Sequence, residues 1–306
     1  MTTKIAVLGT GGLGGYFGGR LAQAGHEVSF VARGEHLAAL KRDGLQVASV
    51  AGDFAVTPAR ATDDTGEIGE VDFVLLGVKT WQLPPAIASL KPLLGPDTPV
   101  VTTQNGVEAP QQVADVIGRD AVLPGAVDVI AFLDGPGRIR HLAAGALTFG
   151  EWDGRATPRV ATLRDALEES GLTAIVTDDV WAALWQKFLK LASLGALATV
   201  LDAPFAALRS RPGTRRLIED VMAEVRQVGL ARGITLGDDA VAEGMAFLDG
   251  LPEAGTTSLQ RDIRAGRPSE LDAWAGAVVR LGAEAGVPTP VNSVLYELAS
   301  AVAERG

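Results

Sequence analysis

A glycine-rich turn at the start of the chain constrains its fold more than any other feature. Residues 9–14 are GTGGLG, which fits the pattern GxGxxG. The preceding run KIAVLG at 4–9 is apolar and β-branched, as in a buried parallel strand, and a helical pattern follows from residue 12. Strand, glycine turn and helix in this order are the context in which GxGxxG indicates a dinucleotide-binding βαβ unit.

The three glycines of the pattern have separate physical roles. Gly9 allows the tight turn, Gly11 lets the backbone approach a pyrophosphate, and Gly14 lets the helix pack closely on the strand. The helix N-terminus then faces the anionic phosphates. The alternative is a flexible glycine-rich turn without a ligand. We predict cofactor contacts from the whole turn, namely Gly9, Thr10, Gly11, Gly12, Leu13 and Gly14.

The rest of the N-terminal half alternates strands with helices. Further buried strands are predicted at 27–32, 72–78 and 99–103, and β-rich stretches at 122–130 and 138–150 flank a turn at 134–137. This alternation predicts an α/β fold with a Rossmann-type doubly wound parallel sheet.

The C-terminal half has a different pattern. From residue 178 onward apolar residues recur every three or four positions between glycine and proline breaks, which is typical of helices. We therefore predict two domains, a dinucleotide-binding Rossmann domain at 1–177 and an all-helical domain at 178–306.

Composition and charge exclude several classes of function. The formal net charge of −10 disfavours nucleic-acid binding, and no apolar run is long enough for a membrane span. Cysteine is absent, which excludes disulfides, thiol nucleophiles and thiolate metal sites. His26, His36 and His141 have no metal-ligand spacing, so we expect no metal and assign them to surface or turn positions. We expect a soluble, cytoplasmic protein.

The residue after the second strand distinguishes NAD from NADP. A carboxylate there would accept hydrogen bonds from the ribose hydroxyls, but this chain has Arg33. An arginine can bind a 2′-phosphate in a forked geometry, so the sequence favours NADPH. A solvated arginine at a strand end is the alternative.

Polar residues also follow two later strands, where open α/β sheets bind ligands. Lys79 follows the strand at 72–78 and adds a positive charge, and Asn105 follows the strand at 99–103 and offers an amide. A surface lysine and a turn-forming Asn-Gly are the alternatives. Because both lie at successive strand ends, we favour a role in binding.

With these motifs the chain resembles the ketopantoate reductases (2-dehydropantoate 2-reductases). The resemblance covers nearly the whole chain and rests on an ordered set of blocks. They are GTGGLGG at 9–15, Arg33, VKTWQ at 78–82, QNGV at 104–107, HLAAGALTFGE at 141–151, LWQKF at 184–188 and SLQRDIRAGRPSELD at 258–272.

The resemblance implies that the domain at 1–177 binds NADP and that the domain at 178–306 holds the substrate and catalytic residues. It also implies roles for individual residues. The glycine turn, Arg33, Lys79 and Asn105 match NADPH-binding positions, and Ala131 matches a further backbone contact. Lys187 matches the proton donor, and Ser258 matches a substrate-binding hydroxyl. Glu270 matches an acidic residue near the cofactor and the catalytic lysine, and Asn105 is also a substrate-binding candidate.

The residues alone leave simpler interpretations open for three of these positions. Lys187 suits a snorkelling lysine on an amphipathic helix. Ser258 suits a helix cap, because it ends the cluster Thr-Thr-Ser at 256–258. Glu270 suits first-turn helix electrostatics.

The chain departs from the family pattern at three substrate positions. The family's ketopantoate-reducing members have asparagines four and eight residues after the lysine, and a third asparagine further on. Here these positions are Leu191, Gly195 and Phe205. We expect Leu191 and Phe205 to make the pocket more apolar and Gly195 to leave space, while Lys190 either supplies a replacement charge or faces solvent.

The sequence therefore predicts an NADPH-dependent reductase that converts ketopantoate to pantoate for pantothenate biosynthesis. One alternative is a family member that reduces a more apolar 2-oxo acid, or an imine, and keeps Leu191 and Gly195 among its substrate contacts. A second alternative is a non-catalytic NADPH-binding sensor. The partner is a small 2-oxo acid, and the apolar helical half is compatible with a homodimer.

Overall fold

The computed structural model describes residues 2–305, which form two compact units. Residues 2–104 and 109–180 make the first, and residues 105–108 and 181–305 make the second. The main division lies just beyond the expected boundary of 177/178. The excursion of residues 105–108 into the second unit was not predicted.

The first unit contains two β-sheets. Its strands are β1 (Lys4–Leu8), β2 (Glu27–Val31), β3 (Leu45–Ser49), β4 (Phe54–Val56), β5 (Arg60–Thr62), β6 (Phe73–Leu76), β7 (Val100–Thr102), β8 (Val122–Leu123), β9 (Gly125–Leu133), β10 (Arg138–Phe149) and β11 (Thr173–Val176). The larger sheet has the order β5-β2-β1-β6-β7-β8, and all its pairs are parallel. The predicted Rossmann-type sheet is confirmed.

Strand β1 is buried on both faces, as expected for a central parallel strand. Ile5 and Val7 belong to one hydrophobic core, and Ala6 and Leu8 belong to another on the opposite face of the sheet. The helices of this unit are α1 (Gly12–Gln23), α2 (Gly34–Asp43), α3 (Leu83–Ala88), α4 (Ala109–Ile117) and α5 (Pro158–Glu169).

The second sheet was predicted only in part. Strand β10 pairs in parallel with β3 and β11 and antiparallel with β9, and β4 extends the sheet beyond β3. The turn predicted at 134–137 is confirmed, and Gly135 and Gly137 have φ values of +122° and +72°. The short strands β3, β4 and β11, like β5 of the larger sheet, were not predicted, because they lack long apolar runs.

The second unit is helical, as predicted. Its helices are α6 (Val180–Leu201), α7 (Phe205–Ser210), α8 (Pro212–Ala231), α9 (Ala240–Gly250), α10 (Ser258–Arg264), α11 (Ala277–Ala285) and α12 (Pro290–Ala303). A π-helical turn at Asp272–Gly276 leads directly into α11. No helix within residues 2–305 is long and apolar enough to cross a membrane.

A buried carboxylate fixes the start of α12. Glu224, on α8, accepts hydrogen bonds from the backbone N–H groups of Val291 and Asn292, each at 2.9 Å. It also accepts one from the Asn292 side chain at 2.7 Å. These bonds satisfy donors that a helix N-terminus otherwise leaves unpaired, and they join α8 to α12.

Candidate functional site

The glycine turn brings three segments of backbone into direct contact. Gly9 has a φ of +100°, in the region that favours glycine. A Cβ atom added at Gly14 would lie 2.2 Å from the carbonyl oxygen of Gly9, and one added at Gly12 would lie 2.3 Å from that of Ala131. No side chain fits at either position. The structure thus brings Ala131 against the start of α1.

Gly11 differs from its neighbours because space is open beside it. A Cβ atom added at Gly11 meets no described atom within 4 Å. Gly11 is also the N-cap of α1, where backbone N–H groups and the helix dipole favour an anion. The turn therefore presents an open, positively polarised backbone surface.

Thr10 and Leu13 anchor the turn to the protein. The backbone N–H and the hydroxyl of Thr10 both donate to the carbonyl oxygen of Val31, at 3.2 and 3.1 Å. Leu13 packs against the hydrophobic core that lies between α1 and the sheets. The side chains of Thr10 and Leu13 thus hold the turn in place, and only their backbone groups are available to bind a cofactor.

Arg33 lies at the carboxyl end of β2, next to the turn in the sheet order. It is the N-cap of α2, and its side chain is exposed. Among residues 2–305 the guanidinium has no hydrogen-bond or ion-pair partner. An exposed, unpaired guanidinium at this edge of the sheet is available to an anionic group.

Lys79 and Gln104 lie at the ends of the neighbouring strands β6 and β7. Lys79 is half-buried, and its N–H donates to the side chain of Gln82 at 3.1 Å. The Gln104 amide donates to the carbonyl oxygens of Leu76 at 2.6 Å and Val78 at 3.0 Å. Gln104 therefore joins the two strand ends, a role that the sequence analysis missed although the residue is part of the QNGV block.

His36 is a second residue whose role was missed. Its Nδ1 atom accepts a hydrogen bond from the N–H of Gly137 at 2.9 Å, so the ring proton resides on Nε2, which is buried. Burial lowers the pKa of His36 below its ordinary value, although the nearby backbone of Thr10 opposes this effect. The neutral ring joins α2 to the β9–β10 turn.

The other two histidines are buried, so their assignment to the surface was wrong. His26 does lie in the turn between α1 and β2, whereas His141 lies within β10. His26 is buried, and its Nδ1 atom accepts from the N–H of Thr3 at 3.3 Å. His141 is also buried, with its ring stacked on Tyr16 at 3.8 Å between centroids and its Nδ1 atom 2.8 Å from the Ser49 hydroxyl. Hydrogen bonds and ring stacking explain how these polar rings are accommodated in the interior.

In the second unit, α6 carries the lysine of the LWQKF block. Lys187 and Leu191 are half-buried and lie one turn apart, on the same face of the helix. The ammonium of Lys190 lies 5.3 Å from the centroid of the Phe247 ring. This distance is that of a cation–π contact, and a replacement charge at Lys190 stays a prediction.

The expectation that Gly195 leaves space was wrong. Gly195 is buried, and a Cβ atom added there would lie 2.6 Å from the Trp274 ring and 2.9 Å from Leu259. Protein interiors are close-packed, so the larger neighbours occupy the volume that a side chain would take. Substrate contact by Gly195 stays a prediction.

Phe205, the third departure from the family pattern, is also packed inside the second unit. It is buried at the start of α7, and its ring lies against Gly255, where an added Cβ atom would be 2.7 Å from Phe205 Cδ2. Its N–H donates to the carbonyl oxygen of Gly255 at 3.0 Å. The expected effect on a pocket stays a prediction.

Thr257, rather than Ser258, caps helix α10. The side chain of Thr257 accepts from the N–H of Gln260 at 3.1 Å. The Ser258 hydroxyl has no hydrogen-bond partner among the described residues, which removes the capping interpretation for Ser258. Glu270 is 4% exposed and immediately precedes the helical residues at 271–285.

The predicted site residues are divided between the two units. The first unit holds Gly9, Thr10, Gly11, Gly12, Leu13, Gly14, Arg33, Lys79 and Ala131 at or beside the carboxyl edge of the parallel sheet. The second unit holds Asn105, Lys187, Leu191, Gly195, Ser258 and Glu270. Their roles stay predictions.

Comparison with known proteins identifies the family. Residues 5–154 match the family described as Ketopantoate reductase PanE/ApbA, and residues 179–303 match its C-terminal domain. The chain belongs to the ketopantoate reductase family. Membership confirms both the resemblance and the expected enzyme class, an oxidoreductase acting on CH–OH groups.

Three relatives illustrate the range of similarity. A 2-dehydropantoate 2-reductase from Mesorhizobium japonicum is 32% identical, with 99% of each chain covered. The structure of a ketopantoate reductase from Ralstonia eutropha has a TM-score of 0.91 at 31% identity, with 99% of each chain covered. D-mandelate dehydrogenase, solved with NADH and anilino(oxo)acetate, has a TM-score of 0.90 at 26% identity, with 99% and 98% covered.

The geometry of His36 predicts a pH dependence of stability. Because its pKa is lowered in the folded state, the unfolded chain takes up the proton first as the pH falls below about 6.5. The free energy of unfolding should therefore decrease there, with a slope from this residue of at most about 1.4 kcal/mol per pH unit. Urea unfolding between pH 7.5 and 5 measures the slope.

A His36→Gln variant supplies the comparison, since glutamine does not titrate in this range and keeps an acceptor for the Gly137 N–H. Its unfolding free energy should depend less on pH than that of the wild type. Equal slopes for the two proteins would contradict the assignment.

Proposed function

We propose that this chain reduces a 2-oxo acid with NADPH, and that 2-dehydropantoate is the substrate, giving pantoate for pantothenate biosynthesis. The observation that carries the proposal is the open backbone at Gly11, at the N-terminus of α1, between two glycines whose own space is filled by backbone. This arrangement suits the close approach of an anionic group such as a pyrophosphate. Family membership supports the reaction class.

NADPH, rather than NADH, is supported by Arg33. Its unpaired guanidinium lies at the end of the strand next to the glycine turn. A guanidinium at this position attracts the 2′-phosphate of NADPH, whereas a carboxylate would repel that phosphate. Lys79 contributes a second positive charge at the same edge. The relative solved with NADH makes the choice of cofactor a matter for experiment.

The chemistry of the second unit centres on Lys187. When bound, NADPH supplies the hydride that reduces the carbonyl carbon. The ammonium of Lys187 stabilises the negative charge that develops on the carbonyl oxygen and delivers a proton to it. The buried Glu270 orients that ammonium, while Ser258 and Asn105 bind the polar groups of the substrate.

A more apolar 2-oxo acid is the second candidate substrate. Leu191 presents an aliphatic side chain one turn after Lys187. The resemblance implies an asparagine at this position in ketopantoate-reducing members, and its amide would form a hydrogen bond with a polar atom of the substrate. Leaving such an atom buried without a partner costs about 1–3 kcal/mol. D-mandelate, named for one structural relative, is the reduced form of an aromatic 2-oxo acid. An imine substrate and a non-catalytic sensor remain further alternatives.

The first prediction concerns the cofactor. Arg33→Ala should lower kcat/KM for NADPH about 10- to 100-fold, because a charge-assisted hydrogen bond contributes about 1.5–3 kcal/mol. It should leave kcat/KM for NADH nearly unchanged. Steady-state kinetics with both cofactors measure the ratio, and Arg42→Ala, at the other end of α2, is the matched control.

Gly11→Ala provides an independent check on the same site. The added methyl group meets no described atom, so the melting temperature of the apo protein should be kept while both cofactors bind more weakly. An unchanged NADPH affinity in Gly11→Ala would place the pyrophosphate elsewhere.

The second prediction concerns proton transfer. Lys187→Ala should lower kcat about 10²- to 10⁴-fold, the usual contribution of a general acid, and leave the dissociation constant of NADPH within a few-fold of the wild-type value. Lys190→Ala, on the same helix, should keep kcat. If wild type binds NADPH but reduces no carbonyl compound, the sensor hypothesis is supported instead.

The third prediction concerns substrate choice. A panel of 2-dehydropantoate, 2-oxoisovalerate and phenylglyoxylate should give the highest kcat/KM with 2-dehydropantoate if the default assignment holds. A preference of more than tenfold for phenylglyoxylate would favour the apolar alternative and assign it to Leu191. The Leu191→Asn variant should then shift the preference back toward 2-dehydropantoate.

A further inference from the structure

Residues 104–108 connect the two structural units. Gln104 is bound to the ends of β6 and β7 through its amide, and it belongs to the first unit. Asn105 and the residues up to Glu108 belong to the second unit. A residue that is expected to bind substrate or cofactor thus lies on a short segment that must be held by the helical unit.

The segment packs directly on the π-helical turn that follows Glu270. Gly106 has a φ of +104°, and a Cβ atom added there would lie 2.9 Å from the carbonyl oxygen of Ala273. Val107 is 5% exposed. Turns of π-helix are found frequently at functional sites, and this one begins two residues after Glu270.

A single guanidinium joins the segment to that turn. Arg280, on α11, donates to the carboxylate of Glu108 at 2.8 Å and to the carboxylate of Asp272 at 2.8 Å. It also donates to the backbone carbonyl of Asp272 at 3.2 Å. The hydroxyl of Tyr296 donates to the same Asp272 carboxylate at 3.0 Å.

The electrostatics favour a persistent contact. Arg280 and Glu108 are partly shielded, with 41% and 22% of their side chains exposed. Partial burial disfavours the charged guanidinium, but the two carboxylates outweigh it and raise the pKa of Arg280 above its usual range. A shared cation between two acidic groups on separate segments fixes the distance between those segments more firmly than an isolated surface pair.

We infer that Arg280 is a positioning residue of this enzyme, which holds the Asn105 segment against the turn after Glu270 by bridging Glu108 and Asp272. The inference rests on the proposed function, because it assumes that Asn105 and Glu270 serve the reaction. Arg280 itself touches neither of them in any hydrogen bond or ion pair described for residues 2–305. Its effect on catalysis therefore passes through the placement of the segment.

Removing the bridge should affect the reaction more than the stability. Arg280→Gln and Glu108→Gln should each lower kcat about 10- to 100-fold, because a misplacement of about 1 Å costs on the order of 10²-fold. The double variant should be no slower than either single variant, since both remove the same contact. Arg280→Lys keeps one charge and should recover part of the loss.

The matched control is Arg232→Gln. Arg232 pairs with Glu284 of α11 at 2.9 Å and is similarly exposed, but no hydrogen bond or ion pair described for residues 2–305 joins this pair to residues 105–108 or 270–276. It should change neither kcat nor the melting temperature by more than the error of measurement. The inference is overturned if the loss of kcat in the Arg280→Gln/Glu108→Gln double variant equals the product of the two single losses. It is also overturned if the loss of kcat across the variants follows the fall in melting temperature.

A spectroscopic measurement separates the inference from the proposed function. The side-chain amide of Asn105 can be assigned in ¹⁵N-labelled protein with an Asn105→Asp variant. Its resonance should shift or broaden in Arg280→Gln and Glu108→Gln but not in Arg232→Gln. If wild type reduces no 2-oxo acid while the resonance shifts as expected, the proposed function fails and the bridge stands. An unchanged resonance shows that Arg280 does not position the segment.

Discussion

The contact between helix α1 and two β-sheets is the constraint on which the first unit depends. Added Cβ atoms at Gly14 and Gly18 would clash with the parallel sheet, at Gly9, Val7 and Phe30. Those at Gly12, Gly15 and Gly19 would clash with the second sheet, at Ala131, Ile139 and the Phe54–Leu45 pair. The helix thus has two glycine faces, and only Gly11 of the dinucleotide pattern is left open to a ligand.

Because α1 packs on both sheets, the position of the glycine turn depends on the second sheet as well as on the parallel sheet. The helix N-terminus can present its N–H groups to an anion only if the helix is held at a fixed position. Here that position is set by backbone at Gly9 and Ala131, and further along the helix by side chains of the two sheets, among them Phe30, Ile139 and Phe54. His36 adds a hydrogen bond from α2 to Gly137, in the turn between β9 and β10 of the second sheet.

Local patterns made much of the fold predictable. The GxGxxG turn, the buried parallel strands and the helical periodicity after residue 178 are all encoded within short windows, and the structure confirms them. The missed roles depend on contacts between distant residues. Gly137 bonds to His36 across 101 positions and Arg280 bonds to Glu108 across 172, and nothing near Arg280 distinguishes Glu108 among the 37 acidic residues. The error at Gly195 has the same origin, because the ring that fills its space comes from residue 274.

The pairing of Gly195 with Trp274 also limits how this sequence can change over time. Any side chain at position 195 overlaps the indole ring unless that ring moves or shrinks. An asparagine at 195 requires either a shift of the Trp274 ring or a smaller residue at position 274. Positions 195 and 274 are therefore coupled, and the cost of a substitution at either one depends on the residue at the other.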